Sequence, residues 1–174
     1  NEEQKARVEA EAQRVRPIAE AAARIGCSVA LYNHGGWFGE PTNQIAIIAT
    51  LRTQGLTNIG IVYNQHHGHD HIDRLAEWLH LMKPYLVALN LNGMVRGGDQ
   101  AGKKILPIGQ GDLDLNLLYI IRDSGWRGPI GILNHTEEDA ETRLQENLRG
   151  LDRLVAQLDP RRSGVTPDSI PTKS

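Results

Sequence analysis

Four of the seven histidines in this chain fall within six residues. They are His66, His67, His69 and His71, and they directly follow the apolar run Ile59–Tyr63. Imidazole exchanges protons near neutral pH, and it is also a common ligand of zinc, copper, nickel and iron. The segment can therefore supply a general acid or base, or part of a metal site. Its spacing, His-His-x-His-x-His, is not a standard zinc signature, so no motif selects between these uses.

The same segment also fits a polar loop at the start of a helix. Asp70 can cap a helix that begins near His71, while the imidazoles form hydrogen bonds or face water. We expect this structural role for His69 and His71. His34 and His135 lie just beyond other predicted strands, so they join the candidates for a histidine-based site.

Asparagines form a second set of polar residues at the ends of four predicted strands. The set comprises Asn33, Asn64, Asn90, Asn92 and Asn134. Asparagine is common in turns because it tolerates the left-handed backbone region. Its amide also pairs a donor with an acceptor, which suits a polyhydroxylated ligand. We favour the ligand pocket, with Trp37 as a candidate apolar wall against which a sugar face would stack; ordinary loop packing is the alternative for Trp37.

The segments that carry these residues alternate between strand and helix. A helix is predicted over residues 2–25, and it is either kinked at Pro17 or divided there. The predicted strands are Cys27–Tyr32, Asn58–Tyr63, Leu86–Leu91 and Gly128–Leu133. The predicted helices are Pro41–Gln54, His71–Lys83, a helix capped by Asp112 or Asp114 that runs to about Ser124, and Glu137–Leu158. This alternation predicts an α/β fold with parallel strands and right-handed crossovers, whose ligands bind at the carboxyl ends of the strands.

Two architectures fit four strand–helix units. A complete (β/α)₈ barrel of the TIM type takes roughly 250 residues, so the chain fits the second half of one. A small open sheet of four strands is the alternative, and no Gly-rich dinucleotide fingerprint supports it. We expect one barrel-like domain over residues 1–158, incomplete at its N-terminus, and a disordered tail over residues 159–174 that holds Pro160, Pro167 and Pro171.

Composition excludes several classes of protein. The formal net charge is -2 and the pI about 6.4, which argues against a nucleic-acid partner. Cys27 is the single cysteine, so an intramolecular disulfide is excluded. No apolar run approaches the ~20 residues of a membrane span, so the chain is expected to be soluble, in a compartment that the sequence leaves open.

Two runs carry a resemblance to a known family. Residues Ile105–Asp114 and Ile121–Ile130 resemble a pattern of the xylose-isomerase-like TIM-barrel family. In that family the pattern is a segment P-l-G-e-G-x-x-D, then a helix, then G-Y/W-x-G. The family includes sugar phosphate isomerases and epimerases and endonuclease IV. Val29–Gly36 and Asn58–His67 are similar to its fifth and sixth strands. The resemblance covers residues 5–158 and implies that strands one to four are missing.

The family typically holds a divalent metal with a Glu, an Asp, a His and a second Glu at the strand ends. In this chain the resemblance places Tyr32, Asn64, Asn90 and either Leu133 or Asn134 at those positions. His67 is retained as the histidine that accompanies the family's Asp. Asparagine offers a neutral carbonyl where a hard dication prefers carboxylate oxygens, so the acidic metal site is expected to be replaced.

The resemblance implies a sugar isomerase- or epimerase-like domain that acts on a carbohydrate or sugar phosphate. His67 and His34 are the candidate catalytic residues, and the asparagines with Trp37 are the candidate substrate-binding residues. If a metal is retained, zinc, manganese or iron held by His66, His67 and His135 is the candidate cofactor. A non-catalytic carbohydrate-binding module, or a degenerate enzyme, is the alternative. An isolated half barrel would expose apolar edges, so we expect either a longer parent chain or pairing of two copies.

Overall fold

A computed structural model describes residues 1–158 of the chain. The strands are β1 (Val29–Tyr32), β2 (Ile59–Asn64), β3 (Leu86–Leu91) and β4 (Ile130–Ile132). The helices are α1 (Glu2–Arg24), the single turn α2 (Gly36–Gly39), α3 (Pro41–Thr53), α4 (Leu75–Met82), α5 (Asp114–Asp123) and α6 (Ala140–Leu158). The predicted alternation of strand and helix is confirmed. The predicted tail over residues 159–174 lies outside the described residues.

The four strands form one sheet in the order β1-β2-β3-β4, which is also their order along the chain. β1 pairs with β2 in parallel, with Leu31 opposite Ile61, and β2 pairs with β3 in parallel, with Asn64 opposite Asn90. Consecutive parallel neighbours are the arrangement of a (β/α) barrel rather than of a doubly wound sheet, whose order reverses. Because the strands are parallel, the polar residues that follow β1, β2 and β3 lie at one edge of the sheet.

Helical periodicity accounts for the packing of α1 on α3. The buried residues of α1 are Val8, Ala12, Val15 and Ala19, which recur every three or four positions along one face. Ile47, Ile48 and Leu51 of α3 are completely buried. Pro17 lies inside α1, which is one continuous helix, so of the two alternatives at Pro17, a kink or a division, the division is wrong. Gly26 follows α1 with φ +70°, where glycine avoids the strain that a side chain would add.

The described chain divides into two compact units. The first comprises Asn1–Leu91 and Trp126–Gly131, and its core lies between the sheet and the helices α1, α3 and α4. The second comprises Asn92–Gly125 and Ile132–Ser174, described up to residue 158, and in it α5 packs against α6. None of the helices over residues 1–158 has the length and apolar character needed to cross a bilayer.

The start of the fourth helix differs from the prediction. A 3₁₀-helix covers His69–Arg74, and the α-helix begins only at Leu75. No side chain caps either segment, so the predicted capping role of Asp70 is wrong. The reason lies in tertiary contacts, because the side chain of His71 bonds to residues outside this segment and holds the turn tight.

The start of α5 also differs. The cap position is Leu113, and Asp114 is the first helical residue, so neither Asp112 nor Asp114 is an N-cap. The Asp114 carboxylate instead accepts hydrogen bonds from the backbone N–H groups of Met94, Gly109 and Gly111, at 2.7, 2.7 and 3.0 Å. Burial raises the pKa of Asp114, and the three backbone donors oppose that rise. The residue therefore fixes the loop before α5 rather than the helix itself.

Candidate active site

Asn33 joins the carboxyl ends of β1 and β2. Its Nδ2 donates to the carbonyl of Asn64 at 3.0 Å, and its Oδ1 accepts from the backbone N–H of Asn64 at 2.7 Å. The side chain of Asn33, which directly follows β1, thus forms hydrogen bonds to the β2 backbone like those that a further residue of β1 would form. Asn33 and Asn64 are each 1% exposed. The two bonds fix the spacing of the loops that follow the two strands.

The side chain of Asn64 orients two ring-bearing residues. Its Nδ2 donates to the hydroxyl of Tyr32 at 2.6 Å, and its Oδ1 lies 2.9 Å from Nδ1 of His66. Since an amide oxygen accepts only, His66 carries a proton on Nδ1 in this arrangement. Since the Tyr32 oxygen already accepts from Asn64, its own O–H can be donated to another group. Tyr32 is half-buried, whereas His66 is 6% exposed.

His34 and His67 meet at this edge of the sheet. Their ring centroids are 4.6 Å apart in an edge-to-face arrangement. The ring of Tyr32 stacks on His34 at 5.9 Å and meets the edge of His67 at 5.5 Å. His34 is exposed and His67 half-buried, so the pair has access to solvent. We call Tyr32, His34 and His67, with His66 against His67 at 3.6 Å, the histidine cluster.

In the part of the chain that the structure describes, the side chains are not arranged as the ligands of a typical metal site. Over residues 1–158 no group of three or more His, Cys, Asp or Glu side chains is arranged to hold a metal ion. His135 is exposed and belongs to the second compact unit, whereas His66 and His67 belong to the first. The metal site proposed on His66, His67 and His135 stays a prediction.

The remaining candidates differ in their surroundings. In the first unit Asn90 is half-buried at the end of β3, and its Oδ1 lies against Gly131. The indole N–H of Trp37 donates to Gln4 at 2.8 Å, and the Arg7 guanidinium covers its ring at 4.6 Å. Trp37 is therefore held by α1, as ordinary packing predicts.

In the second unit the other two asparagines are engaged with the backbone. Asn92 is buried, and its Nδ2 donates to the carbonyls of Gly93 and Lys104 at 2.9 and 3.2 Å. Nδ2 of Asn134 lies 3.3 Å from the carbonyl oxygen of Ala140. Both close turns in this structure. Their predicted binding of substrate, like that of Asn33, Asn64, Asn90 and Trp37, stays a prediction.

Tyr32 is the member of the cluster that sequence reasoning missed. The resemblance to the family places Tyr32 at the first of the acidic ligand positions, where this chain has a phenol instead of a carboxylate. Its position in the sequence identifies it as a candidate, because Tyr32 is the last residue of β1 and immediately precedes Asn33 and His34. A hydroxyl at that point faces the same strand ends as the histidines.

Comparison with known proteins supplies a family and a fold. The sequence model of the xylose isomerase-like TIM barrel matches residues 1–154. Among solved structures, the apo form of the 3-keto-D-glucoside 4-epimerase YcjR from E. coli superposes with a TM-score of 0.65 at 18% identity. The D-psicose 3-epimerase from Clostridium cellulolyticum, solved with D-tagatose, superposes with a TM-score of 0.58 at 14% identity. No curated protein sequence matches the chain significantly.

These alignments cover most of this chain and about half of each epimerase. The first covers 88% of this chain and 55% of the E. coli protein, and the second covers 87% of this chain and 56% of the Clostridium protein. At such low identity the likeness concerns the fold alone. The prediction of a partial (β/α) barrel is confirmed, and the open doubly wound sheet is not supported.

Proposed function

Because the chain belongs to the xylose isomerase-like TIM-barrel family, we propose that its histidine cluster binds a carbohydrate and moves a proton on it. The observation that carries the proposal is the meeting of His34, His67 and Tyr32 at the carboxyl ends of β1 and β2. Two imidazoles supply a base and an acid, and a phenol supplies a hydrogen-bond donor. Proton transfer next to a sugar carbonyl requires these three functions.

The proposed reaction begins when a neutral imidazole removes the proton from a carbon next to the carbonyl. The C–H electron pair forms the carbon–carbon double bond of an enediol, and the carbonyl electrons move to oxygen. The Tyr32 hydroxyl donates to that oxygen, since Asn64 already occupies the acceptor side of Tyr32. The second imidazole then carries the hydroxyl proton of the carbon that lost its hydrogen to the former carbonyl oxygen, and the first imidazolium returns its proton to the former carbonyl carbon. The new carbonyl forms on the carbon that lost its hydrogen, both histidines are neutral again, and an aldose–ketose isomerisation is complete.

The spacing of the two histidines favours isomerisation over two-base epimerisation. Epimerisation with two bases places one base on each face of the reacting carbon. The rings of His34 and His67 are in contact at 4.6 Å, which leaves no room for a carbon between them. A pair of imidazoles on one side of the substrate suits the transfer of a proton between adjacent carbons on a single face.

Deuterium exchange tests the proposed chemistry directly. The chain is incubated in D₂O with D-fructose, D-psicose and D-tagatose, and incorporation next to the carbonyl is followed by NMR. We expect exchange that falls about 100-fold or more in His67→Ala, because general base catalysis contributes on this scale. His80→Ala is the matched control, since His80 is exposed on α4 outside the cluster. Equal exchange in the two variants would overturn the role of His67.

A non-catalytic carbohydrate-binding domain is the second candidate. The observation that favours it is the ring surface formed by Tyr32, His34 and His67 at the strand ends, on which a sugar face can stack without any reaction. Calorimetric titration with the same sugars separates the two. Binding that His67→Ala weakens, without any deuterium exchange, supports the binding domain. No binding and no exchange would overturn both.

Chelation tests the predicted histidine-based metal site. After dialysis against EDTA, exchange or binding that is lost and then restored by zinc, manganese or iron would support a metal held by His66, His67 and His135. Unchanged behaviour would exclude a metal from the proposed reaction. A matched His135→Ala variant shows whether the second compact unit takes part.

A further inference from the structure

Three side chains of the first unit, those of Glu40, His71 and Tyr63, form a hydrogen-bonded series that the proposed chemistry does not use. His71 Nε2 lies 3.1 Å from Glu40 Oε2, and His71 Nδ1 lies 3.4 Å from the Tyr63 hydroxyl. Tyr63 is 2% exposed and His71 is 9% exposed. The His71 ring also packs against Trp78, with centroids 5.0 Å apart. We call these three residues the Glu40 network.

The direction of each hydrogen bond in the network follows from the chemistry of its ends. A carboxylate only accepts, so His71 donates from Nε2 to Glu40. In the tautomer with its proton on Nε2, the lone pair on Nδ1 accepts from the Tyr63 hydroxyl. Burial, and after it the charge of Glu40, raise the pKa of Tyr63, so the phenol keeps the proton that it donates. Breaking the bond between Tyr63 and His71 leaves two buried polar atoms without a partner, which resists movement of this part of the network.

One end of the network lies against the loop that carries His67. Tyr63 is in β2, and its hydroxyl packs directly on Gly68, the residue after His67. A Cβ at Gly68 would overlap this oxygen. The Gly68 N–H donates to the carbonyl of Gln65 at 2.8 Å, which closes the 3₁₀ turn that holds His66 and His67. The position of the Tyr63 hydroxyl therefore limits where this turn can lie.

The other end lies against the residues that carry His34. Glu40 directly follows Gly39, and Gly39 packs on the backbone of Asn33 and His34. A Cβ at Gly39 would stand 3.2 Å from the carbonyl carbon of Asn33 and 3.3 Å from the nitrogen of His34. The Glu40 carbonyl accepts from the first turn of α3, which anchors this end in a helix.

We infer that the Glu40 network is a positioning device that sets the orientation of His67 relative to His34. It joins the loop after β1 to the loop after β2 through the buried bond between Tyr63 and His71 and the part-buried bond between His71 and Glu40. At one end Tyr63 packs on Gly68, which follows His67, and at the other Glu40 follows Gly39, which packs on the backbone of His34. Glu40, His71 and Tyr63 are positioning residues, because they act through the two loops. The inference rests on the proposed function only in taking His34 and His67 as the reacting pair.

The ring signals of the histidines test the inference without any ligand. Long-range ¹H–¹⁵N spectra of wild-type protein are compared with those of Tyr63→Phe, which removes one hydroxyl, and a His67→Gln spectrum identifies the His67 signals. We expect the His67 ring signals to move in Tyr63→Phe, because the Gly68 turn loses its support. Tyr85→Phe is the control, since Tyr85 directly precedes β3 and packs under Arg52. Unchanged His67 signals in Tyr63→Phe would overturn the inference.

Substitutions of Glu40 provide a graded test. Glu40→Gln keeps an acceptor for His71, whereas Glu40→Ala removes it. We expect the His34 and His67 signals to change strongly in Glu40→Ala and weakly in Glu40→Gln. An equal change in both variants would contradict a role through hydrogen bonding to His71.

A double-mutant cycle on D-tagatose affinity separates positioning from general loss of stability. Loss of one supporting hydrogen bond corresponds to about 5-fold weaker binding in Tyr63→Phe. We expect no further weakening when Tyr63→Phe is added to His67→Ala, since the orientation of a deleted ring has no effect. Additive losses would overturn positioning through His67. If D-tagatose does not bind the wild-type chain, the proposed function is weakened and the ring signals still decide this inference.

Discussion

Single side chains determine the geometry at the strand ends in ways that residue type alone does not reveal. Asn33 and Asn64 lie at the strand ends where the sequence predicts a ligand pocket. The amide of each is hydrogen-bonded to neighbouring protein groups. The position of such a residue follows from strand patterning. The hydrogen-bond partner of such a residue cannot be predicted in this way, because Asn33 and Asn64 are 31 residues apart in the chain. Both amides are therefore bonded within the protein, whereas His34 is exposed and His67 half-buried at the same edge of the sheet.

In the second unit, substitution of Asp114 tests how much its carboxylate stabilises the loop before α5. We expect Asp114→Ala to lower the free energy of unfolding by about 3 kcal/mol, because the backbone N–H groups of Met94, Gly109 and Gly111 lose their acceptor. Urea unfolding followed by circular dichroism measures the loss. Asp112→Ala is the control at an exposed position, and its effect should stay within about 0.5 kcal/mol. A loss for Asp114→Ala as small as that for Asp112→Ala would show that the three backbone hydrogen bonds contribute little to the free energy of unfolding.

Regular elements were predictable where their pattern is local. The bounds of β3, Leu86–Leu91, were predicted without error, and β2 is shifted by a single residue. The 3₁₀ segment His69–Arg74 was not predictable, because the partners of His71 are Tyr63 and Glu40, of which Glu40 lies 31 residues away. Its sequence reads as a helix, and contacts from elsewhere in the unit tighten its first turns. Local propensity is a weak prior against such contacts.

Gly150 lies in α6, where this helix packs against the loop before α5, and its substitution tests that packing. In an exposed helix Gly→Ala stabilises by up to about 1 kcal/mol. At Gly150 a Cβ would overlap the carbonyl oxygen of Ile108, so the helix and the loop must separate. We therefore expect Gly150→Ala to destabilise the chain by about 2 kcal/mol or more in thermal unfolding. Arg149→Ala, at the exposed neighbouring position, is the control, and a stabilised Gly150→Ala variant would contradict the close packing.

At the scale of the whole molecule, the sheet has two edges that a closed barrel would not have. In the described part of the chain, β1 has one neighbouring strand, β2, and β4 has one, β3. Ile130 of the edge strand β4 is 47% exposed. Four parallel strands in sequential order are half of the eight in a TIM barrel. A second half, whether from a longer chain or from another copy, would cover these edges.

We predict that the 174-residue chain, prepared alone, forms a dimer in which β1 of one copy pairs with β4 of the other. A two-fold axis repeats this contact, so both edges close at once. Sedimentation velocity measures the mass of the particle. A monomer at every concentration tested would contradict the prediction and would show that the exposed edges are tolerated.

Proline at Ala30 tests which edge is used. The Val29 N–H donates toward β2, to the carbonyl of Asn58, so in an alternating strand the Ala30 N–H points to the open side of β1. Ala30→Pro removes that donor while leaving the bonds to β2, and we expect a folded monomer. Ala88→Pro, in the central strand β3, is the control and should unfold, since proline there breaks the interior ladder. A dimer that persists in Ala30→Pro would place the contact elsewhere, because pairing through β1 requires the N–H that this variant lacks.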